Sequence, residues 1–177
     1  GGPASVSPSC HPMQHLAWLE ATGLSTWMRE SGLAFFSTLI LHAIGMGFIV
    51  GVHAATDLRI LGLAPGVPLS MMGRFRQVGR AALAVVLASG VLLLVAYPTK
   101  ALTNPLFYAK LLAVASALVV GRSISRGVLG DRSHDTGAVP ARAKALAALS
   151  LALWVAAIAS GRFLAYTYRI LMAEDVL

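Results

Sequence analysis

Two histidines lie in one long apolar stretch of the chain. The stretch covers residues 31–56, holds His42 and His53, and contains no Asp, Glu, Lys or Arg. The stretch is long enough to cross a bilayer. Because placing an ionisable side chain in hydrocarbon costs free energy, a histidine there indicates a functional site. In an α-helix the two rings are roughly 16 Å apart along the axis and only about 20° apart around it. One stripe of the predicted helix therefore carries both imidazoles.

Two cationic side chains in later apolar stretches, Lys110 and Arg162, accompany His42. Imidazole is an axial ligand of b-type haem, and cations nearer the water can neutralise its propionates. We therefore expect haem b, or another redox cofactor, with His42 as the metal ligand. Lys110 and Arg162 are expected as propionate partners, or Lys110 as the opposing ligand. His53 is a further candidate cofactor-binding residue.

Each of these residues also has a structural interpretation. A histidine in a bundle can hydrogen-bond a neighbouring helix, His53 can face water, and Lys110 and Arg162 can extend to head groups. The apolar stretches after residue 56 contain no histidine, so a second axial imidazole must come from another protein or a second copy. Copper is the competing metal, because Met46 lies one turn from His42 and a thioether with imidazole suits Cu(I).

The composition places the chain among integral membrane proteins. It is 57% hydrophobic and 12% charged over 177 residues, where soluble domains are about 25% charged. The formal charge of +7 comes from basic residues that flank apolar stretches, which favours contact with anionic lipid over nucleic acid. The single cysteine, Cys10, excludes an internal disulfide.

The hydropathy pattern predicts an all-α fold, a four-transmembrane-helix bundle with a short N-terminal interfacial helix. The predicted spans are 31–56, 81–98, 105–121 and 143–172, within a single domain over 13–177. Residues 13–30 are too polar to span, and their tryptophans predict a helix on the membrane surface, interrupted near Gly23. Residues 1–12 are polar and Pro-rich and are expected to be a disordered leader. Asn104 before Pro105 is typical of a helix N-cap.

The distribution of positive charge predicts the orientation. The first and third loops with their flanks, 57–80 and 122–144, hold nine of the fourteen Lys and Arg residues. The positive-inside rule makes this side cytoplasmic, so both termini are expected in the periplasm of a bacterial inner membrane. The predicted partners are lipid and other membrane subunits or a second copy.

The motifs of soluble enzymes are absent, and no catalytic residue is predicted. The chain has no Gly-x-Ser-x-Gly, no phosphate-binding Gly-rich loop with Lys and no His-Glu-x-x-His. No acidic residue falls inside a predicted span, which disfavours a carboxylate proton relay. The leading expectation is a haem-binding subunit or accessory of an electron-transfer complex. The alternative is a cofactor-free subunit that packs against a larger membrane complex.

Several short segments resemble a family of uncharacterised bacterial four-helix membrane proteins. They are Leu41-His42-Ala43-Ile44-Gly45, Asp57-Leu58-Arg59-Ile60-Leu61-Gly62, Asn104-Pro105 with Ala109-Lys110-Leu111, and Gly161-Arg162 with Tyr166. The chain is more loosely similar to HemJ-type protoporphyrinogen oxidases and to the copper-resistance protein CopD. His42 and Lys110 fall on matching motifs, and the HemJ resemblance implies that both are functionally important and that haem is bound.

Overall fold

The computed structural model describes residues 17–63, 66–127 and 139–174. Within these ranges the chain is helical and forms no strand, and four helices are long and apolar enough to cross a membrane. This confirms the predicted all-α, four-span architecture. The predicted leader, 1–12, lies outside the described residues.

The four long helices are named span one to span four. They are preceded by a helical turn at 17–20 and a surface helix, Gly23–Glu30, and two short helices, Leu69–Met72 and Pro98–Leu102, lie in the connections. The bounds of the spans, in order, are Gly32–Leu61, Arg76–Ala96, Pro105–Gly127 and Ala141–Glu174.

Span one is longer than predicted, because its polar end remains helical. Asp57 and Arg59 are inside the helix, which ends at Gly62 with a φ of 99°. The Gly62 amide donates to Arg59 O at 3.1 Å and the Leu63 amide to Leu58 O at 3.0 Å, the two bonds of a Schellman cap. The helix ends where Gly62 adopts a left-handed backbone conformation that favours glycine. The charged residues Asp57 and Arg59 do not end it.

Spans two and three also extend beyond their predicted apolar limits. Span two begins at Arg76, after a 3₁₀ turn at Gly73–Phe75, and span three continues to Gly127. Arginine is a good helix former, so a helix can leave the hydrocarbon without ending. At the start of span three the Leu106 amide donates to Asn104 Oδ1 at 2.9 Å, which confirms the predicted cap.

The surface helix is attached to the end of span two by Arg29. Its guanidinium donates to Ser25 Oγ at 2.7 Å, to Ala96 O at 3.2 Å and to Glu20 O at 2.7 Å. Within this helix Ser25 and Met28 are buried, whereas Trp27 is exposed, as is Trp18 in the preceding helical turn. The helix breaks at residues 21–22, close to the predicted interruption at Gly23.

Several of the fully buried side chains between the spans are small. Ala117, Ala147 and Ala157 are completely buried, and the larger buried side chains packed with them are Ile49, Ile60, Ile124 and Trp154. Larger apolar residues such as Leu33 and Leu112 point outward, with exposed fractions of 81% and 69%. Small residues inside and large ones outside are typical of membrane bundles, where lipid covers the outer surface.

Span one packs against spans two and four, and span three packs against span four. Spans two and three have little direct contact with each other among the described residues. The bundle is therefore most open on the side between spans two and three. Span one contributes side chains to both of the polar regions described below.

Candidate cofactor site

His42 is hydrogen-bonded to span two. Its Nδ1 atom lies 3.0 Å from Ser89 Oγ, which in turn donates to Val85 O at 2.6 Å and approaches Val86 O at 3.3 Å. With the single hydroxyl proton of Ser89 on Val85 O, the shorter of its two carbonyl contacts, the Oγ atom accepts from the ring. In this arrangement His42 is the Nδ1–H tautomer and its Nε2 atom carries the lone pair.

Two glycines let spans one and two approach closely around this ring. A Cβ atom added at Gly90 would lie 3.3 Å from His42 Cε1, so the imidazole occupies the space that a side chain would need. At Gly45, a Cβ would lie 2.8 Å from Val86 Cγ2. The position of the His42 ring is therefore fixed by packing as well as by Ser89.

Lys110 of span three reaches the same region. It is half-buried and interacts electrostatically with His42. Its stem lies beside Gly161 of span four, where an added Cβ would be 3.6 Å from Cε and 3.7 Å from Nζ. Arg162, the next residue, is exposed. The structure thus brings His42 and Lys110 together from different helices and leaves Arg162 on the surface.

His53 lies in a separate place, among spans three and four. Its ring is 5.3 Å from the ring of Trp154 and inclined to it by 41°. A Cβ at Gly121 would be 2.4 Å from His53 Cε1 and 2.7 Å from Nδ1. His53 therefore fills a notch in span three, and this packing accounts for its position without a ligand.

Asp57 is a polar residue that the sequence analysis placed outside the membrane span. It is helical, only 1% exposed, and lies beside Ser150 of span four. The Asp57 Oδ2, Ser150 Oγ and Trp154 Nε1 atoms are buried without a hydrogen-bond partner. The signal was present in the sequence, since Asp57 is four residues after His53 and falls on the same helical stripe.

The described part of the chain contains no group of three or more His, Cys, Asp or Glu residues placed to hold a metal ion. Met46, the proposed copper partner of His42, packs against the hydrophobic core. A metal at His42 would therefore need most of its ligands from a prosthetic group or from another chain.

The described site residues all lie within a stretch that matches one protein family. The match covers residues 16–167, and the family is described as one of unknown function. Curated proteins and solved structures give no match, so the comparisons do not show the looser resemblance to HemJ-type oxidases and CopD. The match covers most of the chain, and the protein therefore belongs to this family of unknown function, DUF6644.

Proposed function

We propose that this protein binds a b-type haem, or a similar planar redox cofactor, with His42 as the axial ligand. The observation that carries the proposal is the hydrogen bond between His42 Nδ1 and Ser89 Oγ. Histidines that ligate metals commonly donate their other ring N–H to a carboxylate, a backbone carbonyl or a water, which fixes the tautomer and raises the basicity of the ligating nitrogen. We propose that the Ser89 hydroxyl takes this role for His42. His42 has this arrangement inside a membrane bundle.

The ligand set favours a porphyrin over a bare metal ion. A porphyrin supplies four nitrogens, so one protein imidazole is sufficient to hold its iron, whereas a bare ion needs a cluster of side chains. His42 comes with Lys110, and the one other imidazole in the four spans, His53, lies roughly 16 Å away along span one. Iron bound here would supply one-electron redox chemistry.

The protein residues would orient and neutralise the group. Ser89 holds the His42 ring, and Gly90 leaves the space in which the ring lies. Lys110 provides a cation in the same region, as partner of a propionate or as the opposing ligand. Arg162, exposed near the end of the apolar part of span four, would serve a propionate that reaches the membrane surface.

We further propose that the protein acts as a subunit or accessory of an electron-transfer complex in the bacterial inner membrane. The excess of basic residues on the side of the first and third loops supports a cytoplasmic location for those loops and periplasmic termini. A second axial imidazole would require another subunit or a second copy, which makes assembly part of this proposal.

Haem titration tests the assignment of the ligand. The purified chain in lipid nanodiscs is titrated with haem, and the Soret absorption is followed. Wild type and His53→Ala should bind one haem each, whereas His42→Ala should not saturate at the same concentrations. Equal binding by all three proteins would contradict the assignment. Circular dichroism of each variant shows whether the helices are retained.

A cofactor-free structural subunit is the second candidate function. The observation that favours it is that the His42 ring already has a hydrogen-bond partner and a close packing surface at Gly90. In that case, wild type gives no saturable haem binding, elemental analysis finds no iron or copper, and the protein co-purifies with other membrane proteins. The haem titration therefore distinguishes the two candidates.

A further inference from the structure

A cavity of about 140 Å³ with a partly polar lining lies between the ends of spans one, two and three that carry the basic loops. Its polar lining consists of His53, Thr56, Asp57, Arg76, Arg80 and Ser125. The volume resembles that of a cavity that accepts benzene, ~150 Å³, so a small organic group fits inside. This cavity is separate from the region of His42, which lies roughly 16 Å away along span one.

The cavity contains both signs of charge. Arg76 and Arg80 provide two guanidinium groups on exposed residues, whereas Asp57 is 1% exposed with an Oδ2 atom that has no hydrogen-bond partner. A buried carboxylate oxygen without a donor is costly. A ligand for this cavity should therefore carry a cationic donor for the buried carboxylate and an anion for the guanidinium groups.

An apolar groove adjoins the cavity. It has a volume of about 780 Å³ and is lined by Ile44, Gly47, Phe48, Gly51, Val52, Ala55, Met72, Phe75 and Val78. Val52 and Met72 line both spaces. Cβ atoms at Gly47 and Gly51 would meet nothing within 4 Å, so these glycines widen the groove. The groove continues along span one from the cavity towards the middle of the span.

We propose that the cavity and the groove together bind one molecule of phosphatidylethanolamine. The ammonium group would donate to Asp57, the phosphate would contact Arg76 and Arg80 at the mouth, and an acyl chain would lie in the groove. A zwitterionic head group matches the two charges of the cavity, and phosphate is a good bidentate acceptor for arginine. An anionic lipid without the ammonium would satisfy the arginines and leave the Asp57 carboxylate without a cationic partner.

The proposal does not depend on haem, and native mass spectrometry tests it. The delipidated protein is mixed with phosphatidylethanolamine, with its N-methylated series up to phosphatidylcholine, or with phosphatidylglycerol. We expect one retained phosphatidylethanolamine. Complete methylation should weaken retention about tenfold or more, because a charge-assisted hydrogen bond is lost. Equal retention of the first and last lipids of the series, or stronger retention of phosphatidylglycerol, would overturn the proposal without the use of any variant.

Variants assign the two halves of the head group. Asp57→Asn should remove the preference for phosphatidylethanolamine over phosphatidylcholine, and the double change Arg76→Gln with Arg80→Gln should weaken both lipids. Arg126→Gln, on an exposed residue of span three outside the cavity lining, is the matched control and should leave retention unchanged. A lipid preference unaffected by Asp57→Asn would also contradict the assignment.

Discussion

The substitution Gly121→Ala tests the packing of His53 into span three. A Cβ at this position would lie 2.4 Å from His53 Cε1 and 2.7 Å from Nδ1. The ring lies against Trp154, at 5.3 Å between centroids, so it can avoid the added Cβ only by giving up this contact or turning into the cavity that it lines. Overpacking of this kind costs about 1–3 kcal/mol of unfolding free energy.

The effect must be separated from helix propensity, because alanine in a helix is favoured over glycine by up to about 1 kcal/mol. Gly51→Ala is the matched control, since a Cβ at Gly51 meets nothing within 4 Å. We expect Gly121→Ala to be less stable than Gly51→Ala by about 1–3 kcal/mol. The free energy of unfolding is measured in mixed detergent micelles.

A double-mutant cycle identifies the responsible contact. In a His53→Ala background the clash is absent, so Gly121→Ala should then behave like Gly51→Ala, with a coupling energy of about 1–3 kcal/mol. If Gly121→Ala and Gly51→Ala have the same stability in the wild-type background, His53 does not occupy this notch and the reasoning is refuted.

Three further predictions concern single contacts. Ser89→Ala should weaken haem binding about 10–100-fold in the nanodisc titration, because it removes the acceptor that orients His42; unchanged affinity would show that Ser89 has no orienting role. Arg29→Gln should raise amide hydrogen exchange in the surface helix about tenfold or more, since hydrogen bonds to Ala96 O and Glu20 O are lost; unchanged exchange would mean that other contacts hold the helix. Gly62→Ala should destabilise the protein by about 1–2 kcal/mol, because its φ of 99° is unfavourable for a residue with a Cβ; an effect near zero would contradict the cap.

The four-span helical fold could be predicted from the sequence, because the hydropathy of a membrane span is a strong signal that depends only on neighbouring residues. Four apolar stretches, the Asn104 cap and a surface helix that ends before span one all follow from hydropathy and capping chemistry. The span limits were less predictable. The end of span one depends on the left-handed backbone of Gly62, and not on where charge first occurs.

The site was only partly predictable, because a single helix shows which residues share a stripe but not what they face. His42 was predicted as a metal ligand and Lys110 as a propionate partner or opposing ligand, and in the structure the two are near enough to interact electrostatically. The small pair Ser89-Gly90 indicates close helix approach, but the sequence does not show that an imidazole lies against Gly90 or against Gly121. These contacts are between residues of different helices, so they can be identified only once the packing of the helices is known.

The most direct test of the cofactor proposal is the reduced-minus-oxidised absorption spectrum of the protein isolated from cells supplied with haem precursor. The account predicts a Soret band with a b-type α-band in the wild type and in Gly51→Ala, and no such bands in His42→Ala of equal helicity. A wild-type spectrum without these bands, in protein that also fails to bind added haem, would contradict the account.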